Sequence, residues 1–382
     1  MDNKVKTVGE PSPTMSFREM NLRVFQGQAI PQVLFQPRIE PWYDWHQKVG
    51  QLPERYRNSS LRELFDDLQV SMRYVHYYTG MPDPVVLKYD QQVRIHDQTS
   101  GSCITRVIET PHGDLVEQLQ LTVDKTWREV DFPVKAPEDF VKLRWLYEHS
   151  VFSFSKENYL AGSEFMGERG VPQFWVPKSP YQALAQIWMK LPTLIYALAD
   201  DPAEVEATMQ AIDSAYDPLY EQIKAAGLAQ IINYGESIHD HLLSPRYWQQ
   251  YLLPFWHKRV AQLRDAGIFT HMHLDGYFRT LLPTLKDLPF DGIEALTPTP
   301  QGDVELEEIR EHIGNKVLLD GIPAVYFLPS FSRDELMAAT EKVVELFSPR
   351  LILGISDELP EGAEQEGIER VRLVSERCRA RT

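Results

Sequence analysis

The chain has 382 residues, of which 43% are hydrophobic and 25% are charged, so it can bury at least one large core. Its formal net charge of -16 argues against a nucleic-acid-binding protein, because phosphate binding needs a basic surface. Its two cysteines, Cys103 and Cys378, are far apart in sequence. They exclude a disulfide framework and a zinc site made of cysteine alone, and they fit a reducing cytoplasm.

The sequence shows no sign of a membrane segment. No apolar run approaches the 18 residues that a spanning helix needs, and residues 1–16 are polar without the apolar stretch of a signal peptide. We therefore expect a cytoplasmic protein that does not interact with membranes.

The first half of the chain contains three candidate strands of a parallel sheet, at residues 33–36, 85–88 and 173–176. Between the second and the third, residues 93–96, 103–108 and 119–123 alternate apolar and polar side chains, with a turn at 110–114. Such alternation is typical of antiparallel strands with one exposed face. We predict an antiparallel meander inserted at about residues 91–134.

The second half alternates regularly between strands and helices. Five apolar strands are predicted at 229–234, 268–273, 292–296, 317–320 and 351–355, and helices at 277–288, 304–313, 332–347 and 366–378, with a further helix beginning at Ser244-Pro245. Ser244 and Ser332 are expected to cap their helices, and Ser332 is followed three residues later by Glu335, as in a capping box. Buried strands that alternate with helices indicate a parallel sheet covered by helices.

Together the eight strands predict an α/β fold, a single (β/α)8 TIM barrel with the antiparallel insertion in its N-terminal half. The barrel would comprise residues 30–382 and follow an N-terminal extension at 1–29. An open doubly wound sheet is the alternative, but the chain lacks the glycine-rich dinucleotide fingerprint that would support it.

The most informative motif is His271-Met272-His273 at the end of the fifth predicted barrel strand. Residues i and i+2 of a strand project from the same face, so the two imidazoles would point together. With Asp357 from the end of the eighth strand they would form a site for zinc or another first-row divalent metal. A pair of buried, hydrogen-bonded histidines is the alternative interpretation, and Asp357 could instead cap a short helical turn.

Other polar and aromatic residues also follow predicted barrel strands, where (β/α)8 enzymes place their active sites. Glu236 and Glu294 are candidate catalytic acids or bases, although Glu294 could equally form a buried salt bridge. Candidate substrate-binding residues are Arg38, Trp42, Tyr43, Lys178, Tyr234 and Ser237. The aromatic members of this set could instead be ordinary barrel packing. A second His-x-His, His239 and His241, is expected in a solvated loop.

Several motifs occur in an order that resembles the uroporphyrinogen decarboxylase superfamily. They are residues 235–245, 251–254, 271–276, Gly302-Asp303, 320–323 and Leu359-Pro360. The resemblance is specific from about residue 170 to the end and weaker from residues 30 to 117. It implies a single (β/α)8 barrel, in agreement with the strand count.

The resemblance is closer to one of the two main branches of that superfamily. True uroporphyrinogen decarboxylases use no metal and hold their polyanionic substrate with several arginines, whereas the corresponding place here, residues 36–42, offers only Arg38. The methylcobalamin:coenzyme M methyltransferase-like branch carries zinc on a His-x-Cys and a later cysteine. The resemblance implies that His273 stands where the first cysteine would be and that Asp357 lies near the place of the second. These ligands are harder than thiolates, so Fe, Mn, Co or Ni are alternatives to zinc.

These observations favour a metal-dependent methyltransferase-like enzyme that demethylates a small methylated compound, with a corrinoid protein or cobalamin as methyl carrier. The alternatives are a metal-free decarboxylase in which Arg38 and Lys178 hold a carboxylate, a metal-dependent lyase or hydrolase, and a barrel that only binds a ligand or a corrinoid partner. A homodimer is a further expectation, since the apolar stretch at 183–198 could form an interface helix or else belong to the core.

Overall fold

The computed structural model describes residues 15–123, 125–238 and 243–380, which form helices, one parallel sheet and two antiparallel sheets. The first helices are α1 (Phe17–Phe25), α2 (Glu40–Lys48) and α3 (Leu61–Leu68). The Ser16 side chain caps α1, and Ser60 forms a capping box with Glu63 at the start of α3. These side chains satisfy backbone N–H groups that have no partner within the helix.

An antiparallel region follows. It contains β1 (Val85–Tyr89), β2 (Arg94–Ser100), β3 (Cys103–Glu109), β4 (Leu115–Leu121), β5 (Trp127–Asp131), α4 (Asp139–Glu148), β6 (Ser150–Phe154) and α5 (Lys156–Met166). Strands β2 to β5 pair in sequential order as a four-stranded antiparallel sheet. The predicted meander is therefore confirmed.

The second half forms a six-stranded parallel sheet. Its strands are β7 (Trp175–Val176), β8 (Ile231–Tyr234), β9 (Phe269–His273), β10 (Gly292–Glu294), β11 (Val317–Pro323) and β12 (Leu351–Ser356), and they pair in that order. The register places Glu294 beside His273 and Asn233 beside His271. The five strands predicted for the second half and the predicted strand at 173–176 are all confirmed as members of this sheet.

Helices accompany these strands. They are α6 (Pro180–Ala183), α7 (Leu191–Asp200), α8 (Pro202–Ala226), α9 (Pro245–Tyr247), α10 (Leu253–Arg264), α11 (Leu306–His312), α12 (Arg333–Phe347) and α13 (Glu364–Ala380). The Ser244 cap and the capping box of Ser332 and Glu335 are present as predicted. No helix in the described part of the chain is long and apolar enough to cross a membrane.

Two predicted helices differ from the structure. The stretch at 277–288 contains only the 3-10 helix Leu282–Asp287, with a proline at its start. The apolar stretch at 183–198 is not one helix, because a π-helical turn, Leu184–Trp188, separates α6 from α7 and Met189 has an extended backbone. Pro192 in the first turn of α7 lacks the N–H that a continuous helix would need.

Two short segments lie against the edges of the parallel sheet. Phe35 forms a parallel bridge with Leu353 of β12, and Tyr74 forms one with Gln173, just before β7. The two segments also meet, since the Ser71 N–H donates to the Phe35 carbonyl at 2.9 Å. They position the side chains of residues 34–36 and 72–75 beside the sheet.

The predicted barrel strand at 85–88 is wrong. This segment is β1, which pairs antiparallel with β6 in a separate two-stranded sheet, with Val85 opposite Phe154. Leu87 and Lys88 are exposed, whereas residues 72–75 are buried. The run Val85-Val86-Leu87 satisfies the preference for apolar, β-branched residues in either kind of strand, so its composition could not separate the two.

Helix α1 covers the amino end of the parallel strands. Met20 and Val24 belong to a buried cluster with Leu34, Ile231 and Ile352. The polar side chains considered below lie at the opposite, carboxyl end of the strands.

Gly170 allows the segment at 72–75 to approach the chain before β7. A Cβ at this position would lie well inside van der Waals contact with the Met72 carbonyl oxygen, although the Gly170 backbone itself is extended. We expect Gly170→Ala to lower the free energy of unfolding by about 1–3 kcal/mol, because backbone rather than a flexible side chain must move. The matched control is Gly362→Ala, whose Cβ would meet nothing within 4 Å. Urea denaturation of both variants measures the difference, and equal stabilities would contradict the expected clash.

Candidate metal centre

Three side chains with metal-binding atoms meet at the carboxyl end of the parallel sheet. His273 ends β9, Asp275 follows two residues later, and Asp357 follows β12 directly. The Nε2 of His273 lies 3.7 Å from Oδ1 of Asp275 and 3.9 Å from Oδ1 of Asp357. One ligand atom from each residue lies within 4.8 Å of the other two, so the three could hold a metal ion. We call these three residues the metal cluster.

The backbone of Asp357 is unusual for a residue with a side chain. Its φ is 80°, in the left-handed region. Non-glycine residues in this region cost free energy, although aspartate tolerates it better than most, and such residues concentrate at functional sites. The conformation turns the chain directly after β12.

Glu294 supports His273 from behind. Its Oε1 lies 2.9 Å from the Nδ1 of His273. Burial alone would lower the pKa of His273, but the hydrogen bond and negative charge of Glu294 outweigh burial and raise this pKa. When Nδ1 donates to Glu294, the lone pair of Nε2 remains available to bind a metal ion. Carboxylates orient metal-binding histidines in proteins in this way.

His271 projects to the same face of the sheet as His273, as the alternation predicted, but it lies outside the metal cluster. Its Nε2 lies 2.7 Å from Oε1 of Gln173, and its Nδ1 lies 3.3 Å from Oε2 of Glu294. His271 is fully buried, and burial lowers its pKa to about 3, so its imidazole is neutral. Of the predicted ligands, the structure brings His273 and Asp357 together and places His271 deeper in the molecule.

A buried arginine holds Glu294 in place. Arg73 donates through Nη1 to Oε2 of Glu294 at 2.8 Å and through Nη2 to Oδ1 of Asp320 at 2.7 Å. Tyr74 also donates to Oε2 of Glu294, at 2.5 Å, and itself accepts a hydrogen bond from Asn233. Burial alone would raise the pKa of Glu294, but the charge of Arg73 and the hydrogen bond from His273 hold it well below its usual value. Glu294 is therefore an ionised carboxylate inside the protein.

Arg38 lies beside the metal cluster, where it was predicted to bind substrate. It forms an ion pair with Asp357, and its Nη2 lies 3.5 Å from Oε2 of Glu358. Tyr77 donates to the same Glu358 oxygen at 2.7 Å, and its ring lies 4.9 Å from the Arg38 guanidinium carbon. The carboxyl of Glu40 is also buried. Burial raises its pKa to about 7, although the positive charges of Arg38 and Arg73 oppose this effect.

The predicted residues after β7 and β8 form a second polar group. The Lys178 ammonium donates to the Gly235 carbonyl at 2.5 Å and to the Ser237 hydroxyl at 3.1 Å. Glu236 is buried and accepts hydrogen bonds from the Ser179 N–H at 2.9 Å and from the Trp256 indole at 3.0 Å. Burial raises the pKa of Glu236. Both of these bonds go to Oε1, and the Ser179 hydroxyl donates to Oε2 at 3.1 Å, so Glu236 connects the loops that follow the two strands.

Three predicted substrate-binding aromatics contact residues outside the metal cluster. The Trp42 ring packs at a tilt against His46 with ring centroids 4.4 Å apart, Tyr43 donates to the Ser59 carbonyl at 2.7 Å, and the Tyr234 ring packs 5.0 Å from Phe290. All three are buried, as in ordinary packing. His239 and His241 lie outside the described residues.

Sequence reasoning missed Arg73, Tyr74 and Tyr77. The signal was weak but present, because residues 70–75 (Val-Ser-Met-Arg-Tyr-Val) combine β-branched and aromatic residues in a short run. The apolar run at 85–88 was counted as the second barrel strand instead of residues 70–75.

Known proteins resemble this chain in fold rather than in sequence. No family model and no curated protein matches it. Among solved structures, a methyltransferase from Methanosarcina mazei matches with a TM-score of 0.58 and 12% identity, over 95% of this chain and 99% of that one. A B12-independent methionine synthase from Shewanella sp. W3-18-1 matches with a TM-score of 0.43 and 12% identity, over 69% of this chain and 73% of that one. The first similarity shows a shared fold, and the second is too low to carry an argument.

Removing the charge of Arg73 should destabilise the protein strongly. In Arg73→Met the carboxylates of Glu294 and Asp320 would remain buried without their cation, a change that costs on the order of 3–5 kcal/mol. Adding Asp320→Asn should recover part of this loss, because it removes one of the two unpaired charges. Chemical denaturation measures these values, with the exposed Arg94→Met as control. A loss no larger than that of the control would contradict the role of Arg73.

Proposed function

We propose that the protein is a metal-dependent enzyme of the methyltransferase type, in which His273, Asp275 and Asp357 hold one divalent cation. The observation that carries this proposal is the convergence of one imidazole and two carboxylates at the carboxyl end of a parallel sheet. The carboxylate of Glu294 behind His273 supports it further.

The proposal includes a closed (β/α)8 barrel. In it the segment at 34–36 serves as the first strand. The segment at 72–75 serves as the second strand, in place of the predicted strand at 85–88. Hydrogen bonds support this assignment, since Gln36 donates to Leu353, Ser71 donates to Phe35, and Val75 donates to Gln173. The metal cluster would then lie at the end of the barrel where such enzymes have their active sites.

The chemistry of the ligands limits the metal. One nitrogen and two oxygen ligands suit zinc, which we favour, as well as Fe(II), Mn(II), Co(II) or Ni(II), with positions left for substrate. The proposed set keeps His273 and Asp357 from the sequence prediction and replaces His271 by Asp275. When bound, such an ion would polarise an oxygen, nitrogen or sulfur of the substrate.

Charge balance supports a divalent cation. The carboxyl groups of Asp275, Asp357 and Glu358 surround the guanidinium of Arg38. Acidic side chains therefore outnumber this cation, and a divalent metal ion would offset the excess. Arg38 would then keep Asp357 and Glu358 in place and present a donor beside the substrate.

The fold and the site together favour methyl transfer. The fold is shared with a methyltransferase from Methanosarcina mazei, and the candidate ligands lie at the end of the sheet that can receive a substrate. We propose that a small methylated compound binds there and that a corrinoid protein or cobalamin accepts the methyl group.

A matched pair of histidine variants tests the ligand set. The purified protein should contain about one equivalent of a divalent metal, His273→Gln and Asp357→Asn should lose it, and His271→Gln should retain it. The reason is that, of these two histidines, His273 is the one that directs an imidazole nitrogen towards the two aspartates. Metal analysis after dialysis measures the stoichiometry.

The same measurement can overturn the proposal. A wild-type protein that takes up none of these metals would refute the metal-dependent function. Equal loss of metal from folded His271→Gln and His273→Gln would favour the two-histidine set that the sequence predicted.

Methyl transfer can be followed by absorbance. The metal-loaded protein, given reduced cobalamin and a panel of small methylated compounds, should form methylcobalamin with at least one of them. Chelation should stop the reaction, and returning the metal should restore it. Full activity of the chelated protein would argue for metal-independent chemistry, and the His273→Gln variant serves as the inactive control.

A further inference from the structure

A cavity of about 660 Å³ lies between the antiparallel sheet β2–β5 and the end of β7. Strands β1 and β6 and helices α4 and α8 complete its walls. This volume is within the usual range for a site that encloses a small molecule. The metal site proposed above does not depend on this cavity, because the residues that line the cavity do not include His273, Asp275 or Asp357.

One wall of the cavity is aromatic and held in place by its own contacts. The Tyr147 ring lies 6.1 Å from Phe152 and 5.8 Å from Trp188, and the Phe152 ring lies 4.9 Å from Tyr216. The Trp188 indole donates to the Tyr147 hydroxyl at 2.8 Å. The Tyr147 and Phe152 rings are nearly parallel, whereas Trp188 and Tyr216 meet them edge to face. Both ring faces and ring edges are therefore fixed before any ligand binds, and an aromatic ligand can pack against either.

The π-helical turn contributes to the same cavity. It ends at Trp188 and carries Ile187, which is 43% exposed although it is a large apolar residue. Single π-helical turns occur frequently at functional sites. Leu87 and Ile95, both partly exposed, lie on other walls. A bound apolar ligand would cover these side chains.

The two cations of the cavity differ in their partners. Arg106 is already paired, with Asp97 at 2.8 Å and with Glu117 at 3.0 Å. Lys178 donates only to an uncharged carbonyl and an uncharged hydroxyl, and among the described residues no carboxylate lies within 4.0 Å of it in an ion pair. The third donor of its ammonium group can therefore bind an anionic oxygen of a ligand.

The part of the cavity that the antiparallel sheet lines is acidic. Asp97, Glu117 and Glu129 line it, and Arg106 is the only cation of the lining residues there. A second anionic group on the ligand would be repelled at this end. The charge pattern thus favours a ligand with one anionic group, directed at Lys178.

Lys178 also connects the cavity with the metal cluster. Burial lowers the pKa of Lys178, and the negative charges of Glu236 and Asp275 oppose this effect. Lys178 follows β7 and donates to Gly235 after β8, and β8 pairs with β9, which ends at His273 of the metal cluster. An oxygen bound to Lys178 would therefore lie at the same carboxyl edge of the sheet as the metal cluster.

We infer that this cavity binds the substrate, and that the substrate is an aromatic molecule with a single anionic oxygen group, a carboxylate or a phenolate. The ring would pack against Tyr147, Phe152 and Trp188, and the anionic oxygen would accept a hydrogen bond from Lys178. The binding site follows from the cavity alone, whereas its use by a substrate rests on the function proposed above.

Calorimetry with simple probes tests this inference on the full-length protein. Benzoate or 4-nitrophenolate should bind, and the tighter of the two identifies the carboxylate or the phenolate class. Benzamide and benzylammonium should bind more weakly than benzoate because they lack the negative charge, and terephthalate should bind more weakly because its second carboxylate meets the acidic end. Cyclohexanecarboxylate should bind more weakly because it lacks the flat ring.

Variants separate this site from other anion-binding sites. Lys178→Met should weaken benzoate binding about tenfold or more, the usual effect of losing a charge-assisted hydrogen bond, and should weaken benzamide binding less, because the amide oxygen accepts the same hydrogen bond without carrying a charge. Lys178→Arg should retain more benzoate binding than Lys178→Met, and Trp188→Leu should weaken both probes. The matched control is Lys190→Met, because Lys190 is exposed and lies outside the cavity lining.

The outcomes that overturn the inference are distinct from those that overturn the proposed function. Absence of binding by every aromatic probe, or benzoate binding that Lys178→Met leaves unchanged, refutes the cavity site. Probe binding that depends on Lys178 in a protein without metal uptake supports the site and refutes the metal-dependent function. Metal uptake without probe binding refutes the cavity site and supports the metal-dependent function.

Discussion

The arrangement at the carboxyl end of the parallel sheet depends on the positive charge of Arg73, buried between the carboxylates of Glu294 and Asp320. Two carboxylates this close in a medium of low polarity would repel each other and take up protons. Arg73 keeps Glu294 ionised, and an ionised Glu294 can accept a hydrogen bond from His273. The orientation of His273 towards Asp275 and Asp357 therefore depends on Arg73, which acts through Glu294 and is hydrogen-bonded to none of these three residues.

The same interaction joins distant parts of the chain. Arg73 belongs to a short segment in the N-terminal third of the chain, and it donates to Gln36 as well as to residues of β10 and β11. A buried charge has few alternative partners, so such a network specifies one arrangement of the strands more strictly than apolar packing can. The network thus contributes to the fold and to the candidate site together.

The sequence was sufficient to predict the elements whose signals are local. The strand ending at His273, the caps at Ser244 and Ser332, and the antiparallel meander all depend on patterns of a few neighbouring residues. The second segment of the sheet could not be found in this way, because residues 72–75 and 85–88 both suit a strand and only long-range pairing distinguishes them. The choice among His271, His273 and Asp275 likewise depends on the register between β9 and β10, which one strand alone does not contain.

The residues of the antiparallel sheet come from one continuous stretch, Arg94 to Asp131, whereas His273 and Asp357 come from the second half of the chain. The acidic side chains that line the cavity, Asp97, Glu117 and Glu129, and the candidate metal ligands are thus encoded separately. Substitutions within this one stretch can change the charge that the cavity presents while the residues of the metal cluster stay the same.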